Sequence, residues 1–417
     1  MVGEGGLNIN DIVERVIWLR RQGKSMTLLA VCPNSDAVLE ATIKAAVLYR
    51  SPMLFAATLN QVDRDGGYTG MTPAAFVSRM RELAEEYSCA SPLFPCLDHG
   101  GPWLKDAHTL AGLSLDETMD EVKASLDACI EAGYGLLHVD PTVDRTLPRG
   151  HSLDIDVVVG RTCELIAHAE STRARSGTQP ISYEVGTEEV HGGLADEGVF
   201  ERFLDGLQSG LQNCGIPDAW PCFIVAKVGT DLHTTTFDGD VARRLADRVA
   251  QLGSVIKGHY TDWVANPADY PRSGVGGANV GPEFTATELS ALKDLCEMER
   301  RRLGDRVVIE GAGFEAALER AVVESERWRK WLTPEEEGSA FDELEAERRE
   351  WLVATGARYV WTEPGVKSAR QRLYTNVASD DFDPHTYLVD RIVASIGRYV
   401  KAFGLQDSLD VLVDGVL

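Results

Sequence analysis

The chain has no Cys-x-x-Cys pair, no apolar run approaching the roughly 20 residues that a membrane-spanning helix needs, and far fewer cations than anions. Its eight cysteines (Cys32, Cys89, Cys96, Cys129, Cys163, Cys214, Cys222 and Cys296) sit mostly inside apolar stretches such as 93–97 and 222–225. They read as reduced core residues, which suits a cytosol, and neither a disulfide framework nor a structural zinc knot is expected. Residues 1–10 lack the basic segment and apolar core of a signal peptide, so a cytoplasmic location is expected. Lys and Arg number 41 against 65 Asp and Glu, a formal charge of −24. Such a surface repels nucleic-acid phosphates and anionic membranes alike, so neither is an expected partner. Adaptation to a high-salt cytoplasm would also account for the acidity. There is no low-complexity linker, and no internal repeat beyond an alternation of short strands and helices.

What is present is an ordinary globular composition, 44% hydrophobic and 25% charged over 417 residues. Near-continuous apolar runs predict strands at 27–32, 52–56, 93–97, 136–139, 181–185, 223–228, 254–257 and 276–280. Runs of that kind suit strands covered on both faces. Between them lie helix patterns with start signals. Thr72 can cap a helix that Pro73 opens, and Phe76, Met80, Leu83 and Tyr87 then form one stripe. Ser114 with Glu117, and Thr285 with Glu288, read as capping boxes. Eight strand–helix units predict a (β/α)8 barrel. A doubly wound sheet is the alternative, but the first turn, 31–35, lacks Gly-x-Gly-x-x-Gly. Charged amphipathic segments at 315–329, 341–353, 358–377 and 390–403 predict a helical appendage. The chain therefore divides into a barrel, 1–305, and a C-terminal helical region, 306–417.

In a parallel barrel the chemistry sits where strands end. Strand three ends in Asp98-His99, strand four in His138-Val139-Asp140, strand five in Glu184 followed by Glu188 and Glu189. Strand six leads to His233, strand seven to His259 and Asp262, and strand eight ends at Asn279. Three imidazoles from separate strands, His99, His233 and His259, can make a facial ligand set for zinc or a similar divalent ion. Each could equally be a hydrogen-bonded structural histidine. Asp98 beside His99 is placed for proton transfer, and Glu184 is a candidate second acid/base group. Glu188 is a candidate substrate contact or a solvated loop residue, and Asp140 a hydroxyl contact or a helix cap. Asp262 and Asn279 are further candidate substrate contacts. Asn60 and Gln61 carry uncharged groups suited to sugar hydroxyls, and Gly67 lets backbone approach a ligand.

These residues resemble a known family. Asn60-Gln61-Val62 followed by residues 66–73, Gly-Gly-Tyr-Thr-Gly-Met-Thr-Pro, closely resembles the signature of the GatZ/KbaZ-type accessory subunit of tagatose-bisphosphate aldolase. Asp98 to Pro102, Gly186 to Glu188, His259 to Asp262, Val280 to Pro282 and the segment from Arg358 to Val377 are similar to further motifs of that family. The family in turn resembles the class II ketose-bisphosphate aldolases, zinc-dependent barrels. The resemblance implies Asp98 as catalytic aspartate, and His99, His233 and His259 as ligands of zinc, with manganese, nickel or cobalt as alternatives. It implies retro-aldol chemistry on a ketose, ketose phosphate or keto sugar acid, by cleavage or 4-epimerisation. The alternative it carries is a non-catalytic subunit that stabilises a separate aldolase. The expected partners are a sugar and either an aldolase subunit or further copies of this chain. The pattern also departs from the aldolases. Tyr260-Thr261-Asp262 replaces their phosphate loop, and Asp262 and Glu283 would repel phosphate. An unphosphorylated ketose, or a sugar acid held by Arg145, Arg149 or Lys257, therefore stands beside a bisphosphate as a candidate substrate.

Overall fold

In the computed structural model, residues 7–148, 151, 153–187, 196–230, 237–303 and 311–413 are described. The eight strands are β1 (Leu28–Val31), β2 (Met53–Thr58), β3 (Leu93–Gly100), β4 (Leu136–Val139), β5 (Ser182–Gly186), β6 (Phe223–Val225), β7 (Val255–Gly258) and β8 (Gly277–Val280). They pair in sequence order, all parallel, and β8 closes on β1. Almost every strand residue is buried. Barrel side chains fill the interior on one face and meet the helix ring on the other, so the apolar runs do not alternate.

Local signals start several helices where expected. Thr72 Oγ1 accepts from the Ala75 amide at the head of Pro73–Glu86, and Ser114 with Glu117 closes a reciprocal box on Leu115–Ala132. The Thr285–Glu288 expectation is corrected. That helix begins earlier, at Pro282, and runs to Leu303. Its first amides are met by a side chain from another loop: Asp262 Oδ1 accepts from Gly281 N at 3.0 Å and Glu283 N at 2.7 Å. Glu288 is instead fully buried, accepting from Ser35 Oγ at 2.6 Å and Arg370 Nη1 at 2.9 Å. A cap supplied across the barrel rim leaves no local trace in sequence.

Beyond residue 310 the chain is helical: Phe314–Glu324, Ala346–Gly356, Pro364–Val377, Pro384–Ala402 and Leu409–Val413, with 3-10 turns that include Arg327–Trp331 and Ala357–Tyr359. Helix Pro384–Ala402 packs on Asp36–Tyr49 and Pro282–Leu303, and its Leu388, Ile392, Ile396 and Val400 are fully buried there. One apolar core runs through barrel and appendage. No described helix is long and apolar enough to cross a membrane.

Candidate active site and metal-binding cluster

Asp98 and His99 close β3, where its pairing with β4 shifts register between Leu97 and Gly100. A bulge of this kind re-aims a side chain, and His99 adopts a left-handed φ of 50°. That conformation is costly for a non-glycine residue and is held only where its surroundings over-determine it. Gly101 allows the close approach behind it: a Cβ there would lie 1.7 Å from the Asp140 carbonyl oxygen at the end of β4. Asp140 in turn accepts from His99 Nδ1 at 2.6 Å and from Thr142 Oγ1 at 2.5 Å. Burial raises the Asp140 carboxyl, but its bond to His99 outweighs that and holds it at about 2.

Asp98, His99, His138 and His259 offer ligand atoms that all lie within 4.8 Å of one another. The three rings sit 4.8–5.1 Å apart between centroids. Donors each about 2.0–2.2 Å from one ion are themselves separated by up to about 4 Å, so a small inward movement of the set suffices. The second shell agrees. The Asp140 bond leaves Nε2 as the lone-pair nitrogen of His99, and a bond of 2.8 Å from His259 Nε2 to Glu184 puts the His259 lone pair on Nδ1. Burial lowers the His138 imidazole despite Glu184 and Asp98 nearby, which favours its neutral form, and its Nδ1 accepts from the His99 amide at 3.1 Å. Burial raises the Asp98 carboxyl, and the surrounding imidazoles more than offset this, holding it well below the usual carboxylate range. Asn279 Nδ2 donates to Asp98 Oδ1 at 3.1 Å.

Several residues stand elsewhere than the sequence suggested. His233 and Glu188 lie outside the described residues, as does Arg149. His138 takes a place in the cluster that strand-end reasoning did not assign, because it points inward from within β4 and does not follow it. The His138-x-Asp140 spacing was the available signal. Glu184 is not at the rim. It is fully buried, salt-bridged to the equally buried Lys257 and bonded to His259. Lys257 Nζ is thereby paired with a carboxylate within the barrel. Asp140 does not cap the next helix, a role that Asp154 takes; its carboxylate is bonded to His99 and Thr142. The Asn60 amide is spent at both ends on the loop after β3, bonding Leu104 O and Asp106 N at 2.9 Å each. Gln61 accepts from Thr58 N and donates to Asn34. Gly67 is needed for the turn itself, since a Cβ would sit 2.4 Å from the Gln61 carbonyl. Asp262, the helix cap, is pushed up to about 7 by burial against the pull of its two amide donors.

The model of the D-tagatose-1,6-bisphosphate aldolase subunit GatZ/KbaZ-like family matches residues 13–414. The chain belongs to this family. It is 29% identical over 306 residues to a D-tagatose 6-phosphate 4-epimerase of Agrobacterium fabrum (strain C58 / ATCC 33970), covering 67% of this chain and 69% of that protein. Among solved structures, one described as a probable tagatose 6 phosphate kinase from Sinorhizobium meliloti 1021 superposes with a TM-score of 0.74 at 21% identity, over 90% of this chain and all of that one. A fructose-bisphosphate aldolase from Campylobacter jejuni gives a TM-score of 0.52 at 10% identity, over 95% of each chain. At these identities the two structures establish the barrel. As a GatZ/KbaZ-like protein, the chain carries its carboxylate–imidazole cluster at the barrel end where enzymes of this architecture place their chemistry.

Proposed function

We propose that the chain is a metal-dependent enzyme that interconverts ketohexose phosphates at C4 by a retro-aldol route. The observation that carries this is the convergence of His99, His138 and His259 beside Asp98 at the barrel mouth. The family match and the related epimerase supply the substrate class. The three imidazoles would hold the ion, and zinc is the reading carried forward from this donor set. What a bound ion supplies is Lewis-acid polarisation of the ketose carbonyl.

The chain's own groups account for the rest. Asp98, ionised and oriented by Asn279, takes the proton of the C4 hydroxyl as the C3–C4 bond breaks. The electron pair of that bond is left on C3 and delocalises into the C2 carbonyl. The aldehyde fragment turns within the mouth, the bond re-forms on its other face, and Asp98 returns the proton. Asp140 and Glu184 hold the His99 and His259 rings so that neither tautomer nor orientation drifts during this cycle.

The test is elemental analysis of the purified protein, then turnover of ketohexose 6-phosphates with Zn, Mn, Ni or Co, each repeated after EDTA. Bound metal near one equivalent and EDTA-sensitive epimerisation are expected, both lost in His138→Ala. Cleavage products without the epimer would move the assignment to an aldolase. A metal-loaded protein silent on every sugar, but co-purifying with an active aldolase, would replace catalysis with the accessory-subunit role.

A further inference from the structure

The motif Arg358-Tyr359-Val360-Trp361 takes no part in the cluster above, yet it sits in the seam between the appendage and the barrel loops. In this acidic chain most buried or half-buried arginines are matched with carboxylates, as Arg161 is with Asp144 and Arg370 with Glu288. Arg327 and Arg358 make no ion pair among the described residues. Both guanidinium carbons lie close to one ring, 4.9 Å and 5.0 Å from the Tyr359 centroid. Arg358 also stacks 5.2 Å from the Trp331 ring. These aromatic faces fix the cations in place without neutralising them.

The same seam holds buried donors with no acceptor. Arg358 Nε and Arg327 Nη1 are both buried and unbonded. So is Nδ2 of Asn34, a residue 3% exposed at the end of β1. The orientation of that amide is fixed, because its Oδ1 accepts from Tyr68 Oη at 2.8 Å and from Gln61 Nε2 at 2.5 Å. Tyr68, bonded to Asn34, packs edge-on at 5.2 Å against Tyr359, the ring beside which both arginines lie. A buried donor left without any partner costs about 1–3 kcal/mol, so a ligand with several acceptor oxygens is a natural complement to the three.

We propose that Arg358, with Arg327 and Asn34, binds the phosphate group of the sugar substrate in the seam between the C-terminal helices and the barrel mouth. The proposal rests on the retro-aldol reading for what the sugar is, but the anion site stands on its own geometry. The seam borders the metal cluster: β1 pairs Ala30 with Asn279, the residue that donates to Asp98. Gly281, which follows β8, would place a Cβ 3.5 Å from Asn34 Nδ2. The half-buried Cys32 lies between β1 and Asn34. At the helix after β8, whose N-terminus is one place a barrel can hold phosphate, the described amides are taken. The amides of Gly281 and Glu283 already serve the Asp262 carboxylate. An appended cation pair therefore takes over the role, with fork-shaped donors suited to phosphate oxygens.

The experiment uses the full chain loaded with metal. Inorganic phosphate is titrated calorimetrically into wild type, Arg358→Gln and Arg327→Gln. Kinetics are then compared on a ketohexose 6-phosphate and the unphosphorylated ketohexose. Binding to wild type that weakens about 10–100-fold in Arg358→Gln is expected, the range for loss of a charge-assisted contact. KM for the phosphate ester should rise by a similar factor, with a loss on the free sugar at least several-fold smaller. Should Arg358→Gln not fold, wild type decides: phosphate should protect Arg358 from phenylglyoxal, read by peptide mass spectrometry. Phosphate binding lost in the variant supports the site even if no sugar is turned over, which separates it from the catalytic assignment. Undiminished phosphate binding in Arg358→Gln, equal losses on both sugars, or no protection of Arg358 would overturn it.

Discussion

The Glu184–Lys257 pair beneath the metal cluster offers the sharpest energetic test. Both side chains are at most 1% exposed, so water screens neither charge. Removing one partner leaves the other buried and uncompensated, which typically costs about 3–5 kcal/mol. Glu184→Gln keeps an oxygen for His259 Nε2 but discharges the pair, so the full penalty should fall on Lys257. Lys257→Met produces the mirror case with the carboxylate stranded. The double variant, Glu184→Gln with Lys257→Met, removes both charges together and should lose much less than the two singles combined. A coupling of at least about 2 kcal/mol is expected, well beyond the 0.3–0.5 kcal/mol scatter of independent sites. The assay is equilibrium urea unfolding followed by tryptophan fluorescence, in EDTA so that metal binding adds nothing to stability. Effects of the two substitutions that sum to the double variant within about 0.5 kcal/mol would refute the claim that these groups neutralise one another.

Three further outcomes follow from particular contacts. Asp140→Asn should weaken metal binding about 10–100-fold, because the carboxylate that fixes the His99 tautomer is gone; competition with a chromogenic chelator measures it, and unchanged affinity would remove Asp140 from the support of the site. The Asp262 carboxyl, buried and raised from 3.8 to about 7, binds a proton more readily in the folded chain than in the unfolded one. The folded state therefore gains from protonation below that range and loses stability as pH rises from about 4 to about 7, by roughly 4 kcal/mol at 1.36 kcal/mol per pH unit. Asp262→Asn, still able to accept from Gly281 and Glu283, should be progressively more stable than wild type between pH 5 and pH 8, and a difference independent of pH would contradict the shift. Gly67→Ala meets the Gln61 carbonyl at 2.4 Å with φ at +52°. Because backbone cannot yield as a side chain can, a loss of about 2 kcal/mol or more in thermal or urea unfolding is expected, and a neutral result would show that the turn can open.

Much of this architecture is written locally. Near-continuous apolar strands, Thr72-Pro73 and the Ser114–Glu117 box depend on residues a few positions apart, so period and spacing reveal them. Asp98 and His99 were legible for the same reason: a barrel presents strand ends at one mouth, and a carboxylate beside an imidazole there is visible in the sequence. What the residues did not show is which rim and interior groups converge. His138 joins the cluster from within β4, and Glu184 drops out of the rim into a buried pair with Lys257, because inward direction depends on the register of closed strands. Asp262 caps a helix that begins twenty positions later, and Tyr359 of the appendage, against which Arg358 lies, meets Tyr68 of the loop after β2. Sequence by itself thus determined the eightfold barrel and its chemical vocabulary, since these rest on short-range periodicity. Only the tertiary structure decided the partners, since each contact joins segments whose separation along the chain carries no record of their distance in space.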